Sequence, residues 1–183
     1  MSPPLSKKAH EILDAAEIRI RHGGFKAASF RDVAADVGIK SASVHYHFPQ
    51  KTDLGRAVVE RYTDRMLEAL GSPNAPNENI EKRLERLISV YEQSLTQGDA
   101  VCLCAVLGAA AKDLPEDVAT AVQTFFTRVL LWVEQALGNR PDAGRTAARV
   151  IATLQGAMIL ALAREDPRHL SDVGMALRKE FRS

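Results

Sequence analysis

The sequence predicts an all-α protein of about nine helices, and three observations carry that prediction. Apolar residues recur at three- and four-residue spacing along nearly all of the 183 residues, the period of a half-buried helix. No segment shows the alternation of a strand. Glycine, proline and asparagine gather at a few points, where helices have to start or stop.

Taken in order, residues 1–5 read as a loose arm. Helix 1 spans about Ser6 to His22, with Ala9, Ile12, Leu13, Ala16 and Ile20 as its stripe. Helix 2 follows Ser29, and helix 3 runs from about Ser41 to Phe48. Helix 4 extends from about Lys51 to Leu70, long enough to link an N-terminal head to a larger body. Gly71 to Asn77, GSPNAPN, is the clearest linker. Helix 5 runs from about Glu78 to Thr96, with Ile80, Leu84, Leu87, Ile88, Tyr91 and Leu95 inward. Gln97-Gly98-Asp99 is expected to break it. Helix 6 covers about Ala100 to Lys112. Pro115, in a favoured first-turn position, opens helix 7, which reaches Leu137. Gly138 to Pro141 ends it. Helix 8 spans about Asp142 to Arg164, and helix 9 about Pro167 to Phe181.

Phe30 to Leu54, FRDVAADVGIKSASVHYHFPQKTDL, is the most informative stretch. Ser29 can cap helix 2, with Asp32 three residues on, a capping-box-like start. Phe30, Val33, Ala34 and Val37 give that helix one apolar face. Gly38 is a C-terminal stop needing a left-handed backbone, and Ile39 can plug the joint. In helix 3, Val44 and Phe48 are four apart and point inward. The opposite face then carries Ala42, Ser43, His45 and Tyr46. Two short helices joined by a tight glycine turn can place one helix in the major groove of DNA. Small, hydroxylic and aromatic side chains suit close approach to bases and phosphates. Lys51, at the start of helix 4, is placed for a phosphate. The plainer reading is a helical corner with a solvated polar face.

These residues resemble the TetR-type (TetR/AcrR) family of bacterial transcriptional regulators. The matching elements are Gly23-Gly24-Phe25, Ser29 to Ala34, Gly38-Ile39, Val44 to Pro49, Lys51 and Leu54, within roughly residues 6 to 60. The resemblance implies a three-helix helix-turn-helix head, residues 1–50, and a larger helical ligand-binding and dimerisation body, residues 51–183. It puts Ser41, Ala42, Ser43, His45 and Tyr46 at the groove. Arg31 would reach a base or phosphate, with His47 and Lys51 on phosphates. Lys40 and His45, also expected at the DNA, depart from the family pattern. The implied partners are a double-stranded operator, a small-molecule effector and a second copy of the chain.

Composition bounds the alternatives. Net charge is only +1, and residues 1–70 hold 11 Lys/Arg against 9 Asp/Glu. No global basic field announces nucleic acid, but a local one is compatible with this balance. The start, Met1 to Leu5, lacks the apolar core of a signal peptide. Val150 to Ala163 falls short of the roughly 20 residues that span a bilayer. A cytoplasmic protein with no membrane contact is expected. No metal cluster, nucleophile motif or phosphate-cradling loop is apparent, so neither a cofactor nor a metal is expected. A helical-pocket enzyme and a helical interaction module are the competing classes.

The body is read more coarsely. A pocket among helices 4 to 8 has Tyr91, Cys104, Phe125, Phe126, Trp132, Gln155 and Met158 as candidate walls, with Arg128 or Gln155 as a polar anchor. Aromatic residues at this spacing also make ordinary core. Cys102 and Cys104, expected on one helix, would diverge by about 200° and could not easily pair. One could be a thiol sensor near a helix start, or both could be small buried hydrophobes. Small residues on helix 8, Ala147, Ala148, Ala152, Gly156, Ala157, Ala161 and Ala163, allow close packing. The family resemblance assigns helices 8 and 9 to a four-helix dimer interface.

Overall fold

A computed structural model describes residues 6–98 and 100–182. The expected arm, residues 1–5, and Asp99 of the expected break lie outside the described residues. Among those described there are nine α-helices and no strand: α1 Lys7–Ala27, α2 Phe30–Val37, α3 Ser41–His47, α4 Lys51–Leu70, α5 Ile80–Gly98, α6 Leu103–Ala109, α7 Glu116–Leu137, α8 Ala143–Ala163 and α9 Arg168–Glu180. The helices fall into two compact units. One runs through Tyr62 and adds Leu103–Gln123; the other is Thr63–Cys102 with Thr124 onward. α4 and α7 each contribute residues to both.

In the first unit α1 packs on α2, α3 and α6. Ser6 starts α1 by accepting a hydrogen bond from the Ala9 amide at 3.2 Å. The predicted stripe Ala9, Ile12, Leu13, Ala16 and Ile20 is buried, as are Val33, Val44, Leu54 and Leu107. Regular helix stops at Gly24, whose φ of 72° and ψ of −178° lie in a region open essentially to glycine. Ion pairs join the helices. Arg61 on α4 reaches Asp14 at 2.8 Å and Glu17 at 3.4 Å on α1, and Arg19 on α1 pairs with Asp36 on α2.

In the second unit α8 packs on α9 and α5, and α9 on α5. Its core includes Leu84, Leu87, Ile88, Tyr91, Phe125, Trp132, Leu154 and Met158. Arg178 of α9 clasps two carboxylates of α5, reaching Glu92 at 2.9 Å and pairing also with Glu85. The predicted linker 71–77 is pinned at its start. Arg86 donates to the carbonyls of Leu70 and Ser72 and pairs with Glu78.

Several boundaries differ from expectation, and α1 runs to Ala27, past the expected His22. α5 continues to Gly98. Thr96 Oγ1 donates to the Glu92 and Gln93 carbonyls within the helix, so it does not pull the backbone out of it. α6 begins at Leu103, not Ala100. The non-helical stretch before it buries Ala100 and Cys102. Cys102 therefore precedes the helix that carries Cys104, and the predicted angle between them does not apply. The C-terminal part of the expected helix is a separate 3-10 turn, Ala111–Asp113. α8 is long and apolar enough, by length and composition, to cross a membrane. It also buries Val150, Ile151, Leu154, Ala157 and Met158 as a core helix does.

Candidate nucleic-acid interface

Local chemistry sets the α2–turn–α3 corner. Ser29 Oγ accepts from the Asp32 amide at 3.2 Å, satisfying one of the open donors of α2. The same hydroxyl donates to the Asp32 carboxylate, and this bond holds that carboxyl below the usual aspartate range. α2 ends at Gly38, with φ 70° and ψ 36°. The Gly38 amide donates to Ala35 O, and the Ile39 amide to Ala34 O at 2.9 Å, the bonds of a glycine-terminated helix. A β-carbon at Gly38 would meet nothing within 4 Å. The glycine is therefore needed for its backbone angle, not for space.

α3 hangs on two apolar anchors, Val44 and Phe48, which are buried. Lys40, Ala42, His45 and Tyr46 are exposed, while Ser41, Ser43 and His47 are half-buried. Tyr46 is 84% exposed, far more than a core role would allow. Its ring meets His47 edge-on at 5.2 Å, and His45 meets Phe30 of α2 edge-on at 4.4 Å. These contacts restrain the rings while leaving an exposed face. Arg31 projects into solvent near Asp32.

Lys51 behaves differently from the other expected contacts. Its ammonium donates to the Lys26 carbonyl at 3.1 Å and lies 4.7 Å from the centre of the Phe25 ring. Burial holds it below the ordinary lysine range, opposed by the charge of Asp32. The lysine thus ties the end of α1 to the start of α4. No sequence pattern announced that contact.

A short solvent-facing helix seated by two buried residues, behind a glycine turn, has the form of a groove-reading element. Comparison with known proteins agrees. The family model for bacterial regulatory proteins of the tetR family matches residues 12–58, from α1 into α4. A TetR transcriptional regulator from Legionella pneumophila is 26% identical, with 98% of this chain and 100% of that one covered and a TM-score of 0.87. A TetR-family regulator from Agrobacterium tumefaciens is also 26% identical, with 96% and 98% covered and a TM-score of 0.89. The chain is thus similar to TetR-family regulators over residues 12–58 and shares their fold along nearly its whole length. No curated protein matches it in sequence. That likeness supports a DNA-binding transcriptional regulator, and at family level the proteins it resembles are regulators, not enzymes.

The expected effector residues divide between the two units. Tyr91, Phe125, Trp132, Gln155 and Met158 belong to the second unit, where all five are buried; Cys104 belongs to the first. Phe126 is half-buried against Phe125, with ring centres 5.1 Å apart. Arg128 is turned to the surface, paired with Asp64 at 2.9 Å. Gln155 Nε2 donates to the Tyr91 phenol at 3.2 Å, while its Oε1 is buried with no partner. Cys102 and Cys104 are 2% and 0% exposed. Among the described residues no group of three or more metal-ligating side chains occurs.

Proposed function

We propose that this protein is a cytoplasmic, homodimeric repressor that binds a near-palindromic operator and is released by a small-molecule effector. Residues 1–50 read DNA, and residues 51–183 bind effector and dimerise. The observation that carries this reading is the exposed face of α3 around Tyr46, held out by buried Val44 and Phe48. Arg31, Lys40, Ser41, Ala42, Ser43, His45, Tyr46, His47 and Lys51 supply the contacts to bases and phosphates. Two such helices, about 34 Å apart, meet successive major grooves.

Dimerisation through α8 and α9 is supported by exposed Ile159, Leu160 and Leu162 on α8 and Met175 on α9. Exposed apolar residues grouped on two helices favour a partner surface. The unpaired Gln155 Oε1 supports an effector contact in the body, since a buried polar atom without a partner is costly. An effector that binds one arrangement of the body better shifts the protein toward it and lowers operator affinity reciprocally. Thiol sensing is the weaker reading, because a reactive sulfur needs access and both cysteines are buried.

The test is selection from a random-sequence DNA duplex library with purified, reduced protein. An enriched near-palindrome supports the dimeric operator reader. No enrichment at low salt, where phosphate contacts are strongest, argues against it.

A further inference from the structure

We propose that the first unit carries a binding site for a small organic monocarboxylate, in a cleft between the end of α1, the start of α4 and the α6–α7 connection. The cleft encloses about 360 Å³, within the range of roughly 300–1,000 Å³ for small-molecule sites. Phe25, Val106, Leu107, Leu114 and Pro115 form apolar walls, and Lys51 lies among them. Lys26 and Asp113 also border it, and both are exposed.

The chemistry of Lys51 selects the ligand. An ammonium has three donors, and this one makes a single hydrogen bond, to the Lys26 carbonyl. No carboxylate lies within ion-pair distance of it among the described residues. A partly desolvated cation without an anion is unfavourable, and the depressed affinity of Lys51 for its proton reflects that burial. A carboxylate at Nζ, with a hydrocarbon or aromatic part on the apolar walls, satisfies both features of the cleft. A neutral ligand leaves the charge unmet. A cationic one meets Lys51 and Lys26, with Asp113 the acidic residue on the cleft border and Asp32 acting on Lys51 from beyond ion-pair distance.

The consequence for regulation rests on the DNA reading above. An anion on Lys51 removes its charge from a phosphate contact, so carboxylate and operator weaken one another's binding by the same factor. The cleft residues belong to the first unit, and Tyr91 and Gln155 to the second.

The experiment uses the full-length reduced protein, with benzoate and hexanoate as probes and benzyl alcohol and hexanol as neutral counterparts. Binding is read by backbone amide shifts in NMR titrations. The carboxylates are expected to move the amides of Gly24, Lys26 and Leu107 and to bind about tenfold or more tighter than the alcohols. Lys51→Met keeps the apolar contact and should erase that preference. Ala110→Phe, at an exposed position on the cleft, should block binding while keeping the melting temperature and operator affinity of the parent. Shifts confined to the Tyr91 and Gln155 region, equal binding of alcohol and acid, or undiminished binding by Ala110→Phe would overturn the proposal. If the parent binds carboxylate here but selects no operator, the site stands and the DNA reading fails.

Discussion

Gln155 and Tyr91 share one buried hydrogen bond, and the amide oxygen of Gln155 has none. The two residues therefore contribute unequally to stability. Tyr91→Phe removes the acceptor and leaves the whole Gln155 amide buried and unpaired, a loss of about 1–3 kcal/mol. Gln155→Met keeps the length of the side chain and removes the orphaned oxygen, so its stability should stay within about 1 kcal/mol of the parent. Urea unfolding of both variants checks the order. A larger loss for Gln155→Met would mean that the amide oxygen is satisfied, for instance by water.

Tyr46→Ala separates reading from folding. The side chain is almost wholly exposed, so its removal should change unfolding free energy by no more than about 0.5 kcal/mol. Operator affinity should fall by about tenfold or more, as for loss of one good groove contact. Unchanged affinity in a fluorescence-anisotropy titration would take Tyr46 out of the interface.

Gly55→Ala tests the packing of the first unit. A β-carbon there would lie 2.5 Å from a Phe25 ring carbon and 3.1 Å from Val118 Cγ2. The ring has to move, and it carries Lys51 on its face. Overpacking of this kind costs about 1–3 kcal/mol, against a helix-propensity gain of about 1 kcal/mol. A net loss of stability is expected in denaturant melts. A gain would mean that Phe25 relocates without cost.

Acid should weaken the fold through its paired carboxylates. The bond from Arg178 holds Glu85 below the usual glutamate range, with burial opposing. Hydrogen bonding from Arg168 brings Asp166 down to about 2, and Arg19 lowers Asp36. Each is depressed in the folded state. The stability they contribute is present above the unfolded values near 4 and is lost as pH falls through the folded ones. Unfolding midpoints should therefore drop from about pH 4 toward about pH 2. In Arg178→Met the drop should be shallower from a lower starting point. An identical pH slope would show that Glu85 is not stabilised by Arg178.

The features legible in the sequence were those set by near neighbours. Ser29 and Asp32, Gly38, and the Val44–Phe48 pair act within a few residues, and each stands where its local chemistry placed it. The α6 boundary was misread because Ala100 and Cys102 are buried by tertiary contacts in a non-helical stretch, which apolar composition cannot distinguish from helix. The direction of Lys51 depends on a carbonyl 25 residues away, and the Arg178 clasp on carboxylates 86 and 93 residues away. Exposure of Lys40, Ala42, His45 and Tyr46 followed from helix geometry. The assignment of Cys104 to the first unit and of the buried aromatic residues to the second did not.

Trp132 donates its indole N–H to the Gly71 carbonyl at 2.6 Å, with the Arg86 guanidinium 5.8 Å from the ring. It is the sole tryptophan of the chain. Selective excitation at its absorption edge thus samples one spot, where α7 meets the residue just after α4. Any rearrangement that loosens that junction alters the polarity around the indole and shifts its emission colour. The protein carries an intrinsic optical gauge of that junction, readable without dye, tag or substitution.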